Sequence, residues 1–367
     1  MSLALYRKYR PKKLDEIIGQ ETIVQILKNA AAQNKIGHAY LFYGPRGTGK
    51  TSTARLIAKL LNCEKRQTDE KFRAQGEPCG ECSYCREIDS NFAFDVVEID
   101  AASNRGIDEI RNLKEAIQTA PAKGAYKVYI IDEVHMLTGP AFNALLKTIE
   151  EPPAHAVFIL GTTEFEKVPL TITSRTQRFG FKKIPKVKIT EKLKNIAEIE
   201  KISIDEDALE LVGAVGDGSF RDAESLLDQL SSLGEKITLE VVEGLTGRTS
   251  LKKVRELSEL ILKNDLEKAL NTLAEINTEG HNLTQFTKDL IHYLRKVLSL
   301  KVNPSLEKFF SSELTTEEIT QIKKLTALTD NATLIRLIKS LIVAYTEIRY
   351  SPFAIVPLEI AIIENLQ

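Results

Sequence analysis

Neither sign of charge is in excess in this sequence: 50 lysines and arginines face 51 aspartates and glutamates over 367 residues, a formal net charge of −1. That balance excludes a strong nucleic-acid binder working by bulk charge, so any contact with a polyanion must come from a local patch or from an assembly. The basic start of the chain (Arg7, Lys8, Arg10, Lys12, Lys13) reads as a solvated run as readily as a patch. No apolar run approaches membrane-spanning length, and the first residues carry no signal-peptide hydrophobic region. The expectation is therefore a soluble, cytoplasmic protein with no membrane partner. Tryptophan is absent and methionine occurs twice, and neither scarcity carries an inference. Internal repeats and low-complexity linkers are lacking as well. Cysteine is scarce, with four in all, but every one falls between residues 63 and 85, so here the scarcity is a signal.

What is present is organised around Gly44-Pro45-Arg46-Gly47-Thr48-Gly49-Lys50-Thr51, a glycine, four residues, then Gly-Lys-Thr. The apolar run Ala39–Tyr43 leads into it as a buried strand, and 51–61 follows with apolar residues at helical spacing. Strand, loop and helix are the context a phosphate loop needs. Its glycines let backbone amides turn towards a triphosphate, and the helix N-terminus adds its positive dipole end. Lys50 would reach the outer phosphates, and the Thr51 hydroxyl would hold magnesium. The chain is expected to bind a nucleoside triphosphate.

At this length two or three domains are expected. Residues 1–20 read as an irregular basic lead-in, followed by a helix over 21–34. Strands are expected at 95–99, 127–131 and 156–160, with a short fifth around 178–181, and helices at 107–119 and 142–150. This alternation predicts an α/β domain over residues 1–183 built on a five-stranded parallel sheet, interrupted by an insertion at 63–85. Beyond it the strands stop. Helical periodicity at 190–201, 205–215, 219–232 and 238–246 predicts a helical lid over 184–246, and an all-helical domain is expected over 247–367.

Asp132-Glu133 closes the third apolar strand, where a phosphate-loop ATPase places its acids: Asp132 to hold magnesium through water, Glu133 to polarise the attacking water as general base. His135 is then left with a structural role. The fourth strand runs out into Gly161-Thr162-Thr163-Glu164, beside those acids, so Thr162 or Thr163 is a candidate for orienting water. Arg175 lies too far along the chain to serve its own loop; it suits an arginine finger offered to a neighbouring subunit or, equally, a plain surface residue. Arg221 opens a lid helix after a glycine turn, from where it can swing onto its own nucleotide's phosphates or remain on the surface. Cys63, Cys79, Cys82 and Cys85, with two C-x2-C steps among glycine and proline turns, are expected to form a closed four-thiolate structural zinc site. In a reducing compartment two disulfides are the lesser alternative, and no open position remains for a catalytic water.

Together these motifs resemble one family. Tyr6-Arg7-Lys8-Tyr9-Arg10-Pro11, the Gly44–Thr51 loop, the four-cysteine insertion, residues 132–137, residues 143–153 and Arg221-Asp222-Ala223 are similar to the gamma/tau subunits of bacterial DNA polymerase III, the AAA+ motor of the replicative clamp loader. The resemblance is strong over the first 245 or so residues and rests on helical character thereafter. It implies a five-subunit assembly with delta, delta-prime and further copies of the chain, held by a C-terminal collar. In that assembly ATP drives opening of the beta sliding clamp and its release on primer–template DNA. By position it implies Thr163 as first sensor, Arg175 as the finger acting in trans and Arg221 as second sensor. The finger's usual Ser-Arg-Cys setting is Ser174-Arg175-Thr176 here. For sequence-independent DNA contact it points to Arg105 and the helix after it. The long tail of tau forms is missing, which leaves the expectation of a gamma-like form or a truncation. No polymerase carboxylate constellation is present, so polymerisation belongs to a partner. Two other functions compete: a homohexameric DNA-translocating motor of the branch-migration type, against which the cysteine insertion argues, and a non-catalytic delta-prime-like scaffold, against which the intact Lys50, Thr51, Asp132 and Glu133 argue.

Overall fold

The computed structural model describes residues 3–90, 92–104, 113, 115–247, 251–310, 314 and 316–366. Two compact units emerge, one formed by Met1–Ile184 with Gly218–Arg221, the other by Pro185–Asp217 with Asp222–Gln367.

The first unit is built on five strands: β1 (Ala39–Tyr43), β2 (Val96–Asp100), β3 (Lys127–Asp132), β4 (Ala156–Thr162) and β5 (Gln177–Gly180). All pair in parallel, in the order β2-β3-β4-β1-β5. The central strands are continuous apolar runs because both faces are covered, as in helix-flanked parallel sheets. Alternate residues supply two separate cores. Tyr40, Phe42, Val128, Ile130, Val157 and Ile159 face one way, packing with Leu27, Leu56, Ile57 and Leu60 of the helices Glu21–Ala32 and Lys50–Asn62. Ala39, Leu41, Tyr129, Ile131, Phe158 and Leu160 face the other way, against Phe142, Leu145 and Ile149 of the helix Gly139–Glu150. The edge strand β2 is only half-covered, with Glu98 and Asp100 exposed.

The expected helix over 107–119 lies largely outside the described residues. Two local differences stand out. The lead-in is not wholly irregular: Leu5–Lys8 makes one helical turn and Leu14–Glu16 a 3-10 turn. The helix expected from 142 starts at Gly139, because Pro140 sits in its first turn, where its missing N–H costs nothing.

The second unit is helical throughout, apart from one isolated bridge between Ile204 and Ile237. Its core is assembled from residues 254–366, chiefly the helices Leu283–Val302, Asn331–Glu347 and Val356–Leu366. Asp265, Asn282 and Asp330 each accept a backbone N–H three residues ahead, as N-caps do. Among the described residues no helix is long and apolar enough to cross a membrane.

Candidate nucleotide site and thiolate cluster

Parallel strands deliver their C-terminal ends to one edge of the sheet, and the sequence's candidates gather there. Residues 44–49 leave β1 and enter the helix Lys50–Asn62 through Gly49, whose φ of 104° only glycine adopts easily. Gly47 is fixed by a close approach: a Cβ there would stand 1.8 Å from the Ser219 hydroxyl, and its carbonyl accepts the Phe220 N–H at 3.1 Å. The Lys50 ammonium folds back over the loop and donates to the carbonyls of Gly44 (2.8 Å) and Pro45 (2.9 Å). Burial pushes its pKa below the ordinary lysine value, with the nearby Asp132 and Glu133 charges opposing that shift.

Asp132 ends β3 and accepts the Thr51 hydroxyl at 2.8 Å, across 81 residues of sequence. A hydroxyl and a carboxylate brought together make a hard-oxygen donor pair that fits magnesium. Glu133 follows with φ 48°, a left-handed conformation costly for a residue with a Cβ. Its Oε2 accepts both the Thr163 hydroxyl (2.8 Å) and the Thr163 N–H (3.2 Å).

The neighbouring Thr162 is fully buried, and its hydroxyl lies 3.0 Å from His135 Nδ1. Of the two threonines, Thr163 is thus the one on the acid. His135 belongs to the same network: Nδ1 is 3.4 Å from Glu133 Oε2, and Nε2 is 3.2 Å from Glu164 Oε1. Thr162 Oγ1 also accepts the Glu164 N–H at 3.0 Å, which ties the end of the fourth strand into the network. Lys167, hydrogen-bonded to Glu164, holds that carboxyl below its usual range.

Arg175 is held inside its own chain. Its Nε pairs with Glu150 at 2.5 Å, and Nη1 donates to the Thr171 carbonyl at 2.9 Å, with both ion-pair partners about 40% exposed (39% and 41%). Arg221 stacks its guanidinium 5.2 Å from the centre of the Tyr6 ring. Arg7 donates to the Tyr6 hydroxyl at 3.1 Å and, with Arg221, draws that phenol below its ordinary pKa. Arg10 is partly buried near Arg7, Arg55 and Arg221; desolvation lowers its pKa first, and the neighbouring cations add to the effect. Sequence reasoning read the basic run but did not foresee that Arg55 and Arg221 join it around Tyr6 and Arg10. The signal of the run itself was the alternation of aromatic and basic residues from Tyr6 to Arg10. Arg105 lies outside the described residues.

The sulfur atoms of Cys63, Cys79, Cys82 and Cys85 all lie within 4.8 Å of one another, and none forms a disulfide. Backbone N–H groups of Cys79, Glu81, Cys82 and Cys85 point at these sulfurs over 3.2–3.5 Å, as they do towards metal-bound thiolates. Contact with Cys85 draws the Cys63 thiol below its ordinary pKa, while Cys85 itself is pushed up. Four soft, clustered donors fit a tetrahedral zinc ion.

Family models cover most of the chain. "DNA polymerase III, delta subunit" matches residues 19–185, "DNA polymerase III clamp loader subunit, ATPase lid domain" 188–236, and "DNA polymerase III subunits gamma and tau domain III" 237–366. Among curated relatives, the Bacillus subtilis DNA polymerase III subunit tau is 46% identical over 305 residues, which is 83% of this chain and 53% of the relative. The Mycoplasma genitalium subunit gamma/tau is 39% identical over 362 residues (95% and 60%), and the Escherichia coli subunit tau 38% over 302 residues (82% and 46%). The chain thus spans about half the length of the curated relatives it matches. Among solved structures, a Bacillus subtilis DNA clamp loader delta protein aligns with a TM-score of 0.42 at 16% identity, covering 93% of this chain and 99% of that one. The Thermotoga maritima RuvB Holliday junction branch migration motor aligns with a TM-score of 0.46 at 19% identity, covering 69% and 79%.

Proposed function

The chain belongs to the gamma/tau family of DNA polymerase III subunits, and we propose that it is the ATPase motor of a replicative clamp loader. One observation carries this: residues scattered over more than a hundred positions converge at one edge of the sheet, with Thr51 hydrogen-bonded to Asp132, Thr163 to Glu133, and the Lys50 charge felt by both acids. Lys50 holds the outer phosphates. Thr51 and Asp132 hold magnesium, which when bound neutralises phosphate charge. Glu133 takes a proton from the attacking water, and Thr163 fixes the carboxylate that does so. Arg221, already beside the loop through Ser219 and Phe220, senses the chain's own nucleotide. Arg175 completes the site of a neighbouring subunit.

In this reading residues 1–183 are the motor, 184–246 its lid and 247–367 a collar. The partners are delta and delta-prime subunits, further copies of the chain, the beta clamp and primer–template DNA, with Arg105 as a backbone contact. The cysteine cluster binds structural zinc, and the protein works in the cytoplasm. The deciding experiment is ATP hydrolysis by this chain mixed with delta-type subunits, with and without a ring clamp and primed DNA. Stimulation that requires both supports the proposal. Turnover driven by any DNA, indifferent to the clamp, sinks it in favour of a translocating motor.

A further inference from the structure

The cysteine module plays no part in the chemistry above, yet it is fastened to the segment that runs under the phosphate loop. Two residues before Cys79, the Glu77 side chain turns away from the sulfurs and is buried at 6% exposure. Its two oxygens accept the backbone N–H groups of Leu14 (2.8 Å) and Asp15 (3.0 Å). Lys28 approaches the same carboxylate at 3.3 Å while holding Asp15 at 2.7 Å. The turn that presents Glu77 requires glycine at position 76, since its φ is 70° and a Cβ would stand 2.5 Å from the Lys28 carbonyl. Arg66, also in the insertion, is buried and donates to the carbonyls of Ala31 and Leu60 at 2.9 and 3.0 Å, so the module's base is tied to the helices on either side.

From Leu14 the chain runs directly to the nucleotide loop. Ile17 lies beside Gly49, where an added Cβ would stand 4.0 Å from its Cγ2. The buried Gln20 donates to the Thr48 carbonyl (3.5 Å) and the Lys182 carbonyl (2.8 Å), and accepts the Lys182 N–H at 3.1 Å. Cys63 itself directly follows the last residue of the helix that the loop opens. We infer that Glu77 is a positioning residue: through its grip on the Leu14 and Asp15 amides, the thiolate module sets the placement of residues 14–20 and hence the shape of the phosphate loop. Metal in the cluster keeps Glu77 in place, and loss of metal is felt as weaker nucleotide binding. This rests on the zinc assignment proposed above.

Glu77→Gln separates the two. The amide keeps the shape and offers one acceptor, but turns an NH2 towards an N–H that needs an oxygen, so one charge-assisted hydrogen bond is lost. The measurement is titration of the full chain with a fluorescent ATP analogue, with zinc content determined on the same samples. Zinc-loaded E77Q is expected to bind about tenfold more weakly than the unmodified chain, and chelation of the unmodified chain to weaken it by a similar factor. Chelating E77Q should add less than about twofold, because both changes cut one path. Lys28→Met, which spares the Glu77–amide bonds, should stay within about twofold of the unmodified chain.

Unchanged affinity in zinc-loaded E77Q overturns the inference. So do penalties that multiply to about a hundredfold, or a K28M loss as large as that of E77Q. If the unmodified chain carries no zinc, the zinc assignment fails, while the E77Q titration still decides the role of Glu77.

Discussion

Replacing Thr163 with valine removes one hydroxyl and keeps the side chain's shape. That hydroxyl donates to Glu133 Oε2 at 2.8 Å; the Thr163 N–H, at a longer 3.2 Å, survives the substitution. A hydrogen bond to a charged group contributes roughly 1.5–3 kcal/mol. Glu133 has a costly backbone conformation, and among the described residues its carboxylate has only the more distant His135 as a further side-chain partner, so its orientation depends on this bond. If that bond is what holds the carboxylate in its reactive orientation, re-orienting it without the bond costs on this scale and lowers kcat by about one to two orders of magnitude. Affinity for ATP should barely move, because Lys50 and Thr51 are untouched. Steady-state ATPase of the assembled complex gives kcat and KM, and nucleotide titration gives the affinity separately. Thr163→Ser restores the donor and should restore most of the rate. A valine variant within twofold of the native kcat, or one whose whole loss lies in KM, refutes the assignment of Thr163 to the hydrolytic carboxylate.

Other outcomes follow from neighbouring contacts. Gly47→Ala drives a Cβ to within 1.8 Å of the Ser219 hydroxyl at φ 71°, so nucleotide titration should show at least a tenfold loss of affinity. Adding Ser219→Gly should recover only part of this, since the backbone strain remains. The buried Lys50 has a depressed pKa, and phosphate favours its charged form. ATP affinity should therefore fall as pH rises through a window beginning below the ordinary lysine value of about 10.4, with proton uptake on binding there, measured by calorimetry in two buffers. The free protein's stability moves the other way: the cost of the buried charge is complete below the folded pKa and relieved as pH rises above it. Arg175→Ala should leave nucleotide binding by the isolated chain intact and abolish stimulated hydrolysis in the mixed assembly; an equal loss in both would place Arg175 in its own site.

The strands were legible because a parallel sheet buried on both faces leaves uninterrupted apolar runs, and 127–131 and 156–160 are such runs. The sheet order was not legible, since nothing local to Ala39–Tyr43 shows that β4 and β5 flank it. Asp132 and Glu133 could be read from their place at a strand end, and Thr51 from the loop pattern. The residues alone left Thr162 and Thr163 open, and only the resemblance pointed to Thr163; the contact that separates them joins a residue just past β4 to Glu133 just past β3, and nothing local signals it. The lead-in failed as a reading for a similar reason. Tyr6, Leu14 and Gln20 have no periodicity to betray them, yet each meets a partner far along the chain: Arg221, Glu77 and Lys182.

In the proposed assembly Arg175 would complete a neighbour's site. Its guanidinium is oriented by Glu150, Thr171 and Ser174, all within 25 residues of it in sequence, and among the described contacts none leads to the chain's own phosphate loop. The Glu150 pair is about 40% exposed on both sides (39% and 41%), and exposed ion pairs contribute at most about 1 kcal/mol. So weak a pair pre-orients the arginine without trapping it: a neighbour's triphosphate carries several negative charges against the single charge of Glu150, and transfer costs little. Glu150 closes the same helix, Gly139–Glu150, that begins just beyond the acids Asp132 and Glu133. At 1.5 Å per residue that helix is a rigid strut of roughly 18 Å between a subunit's own hydrolytic residues and the arginine it presents outward.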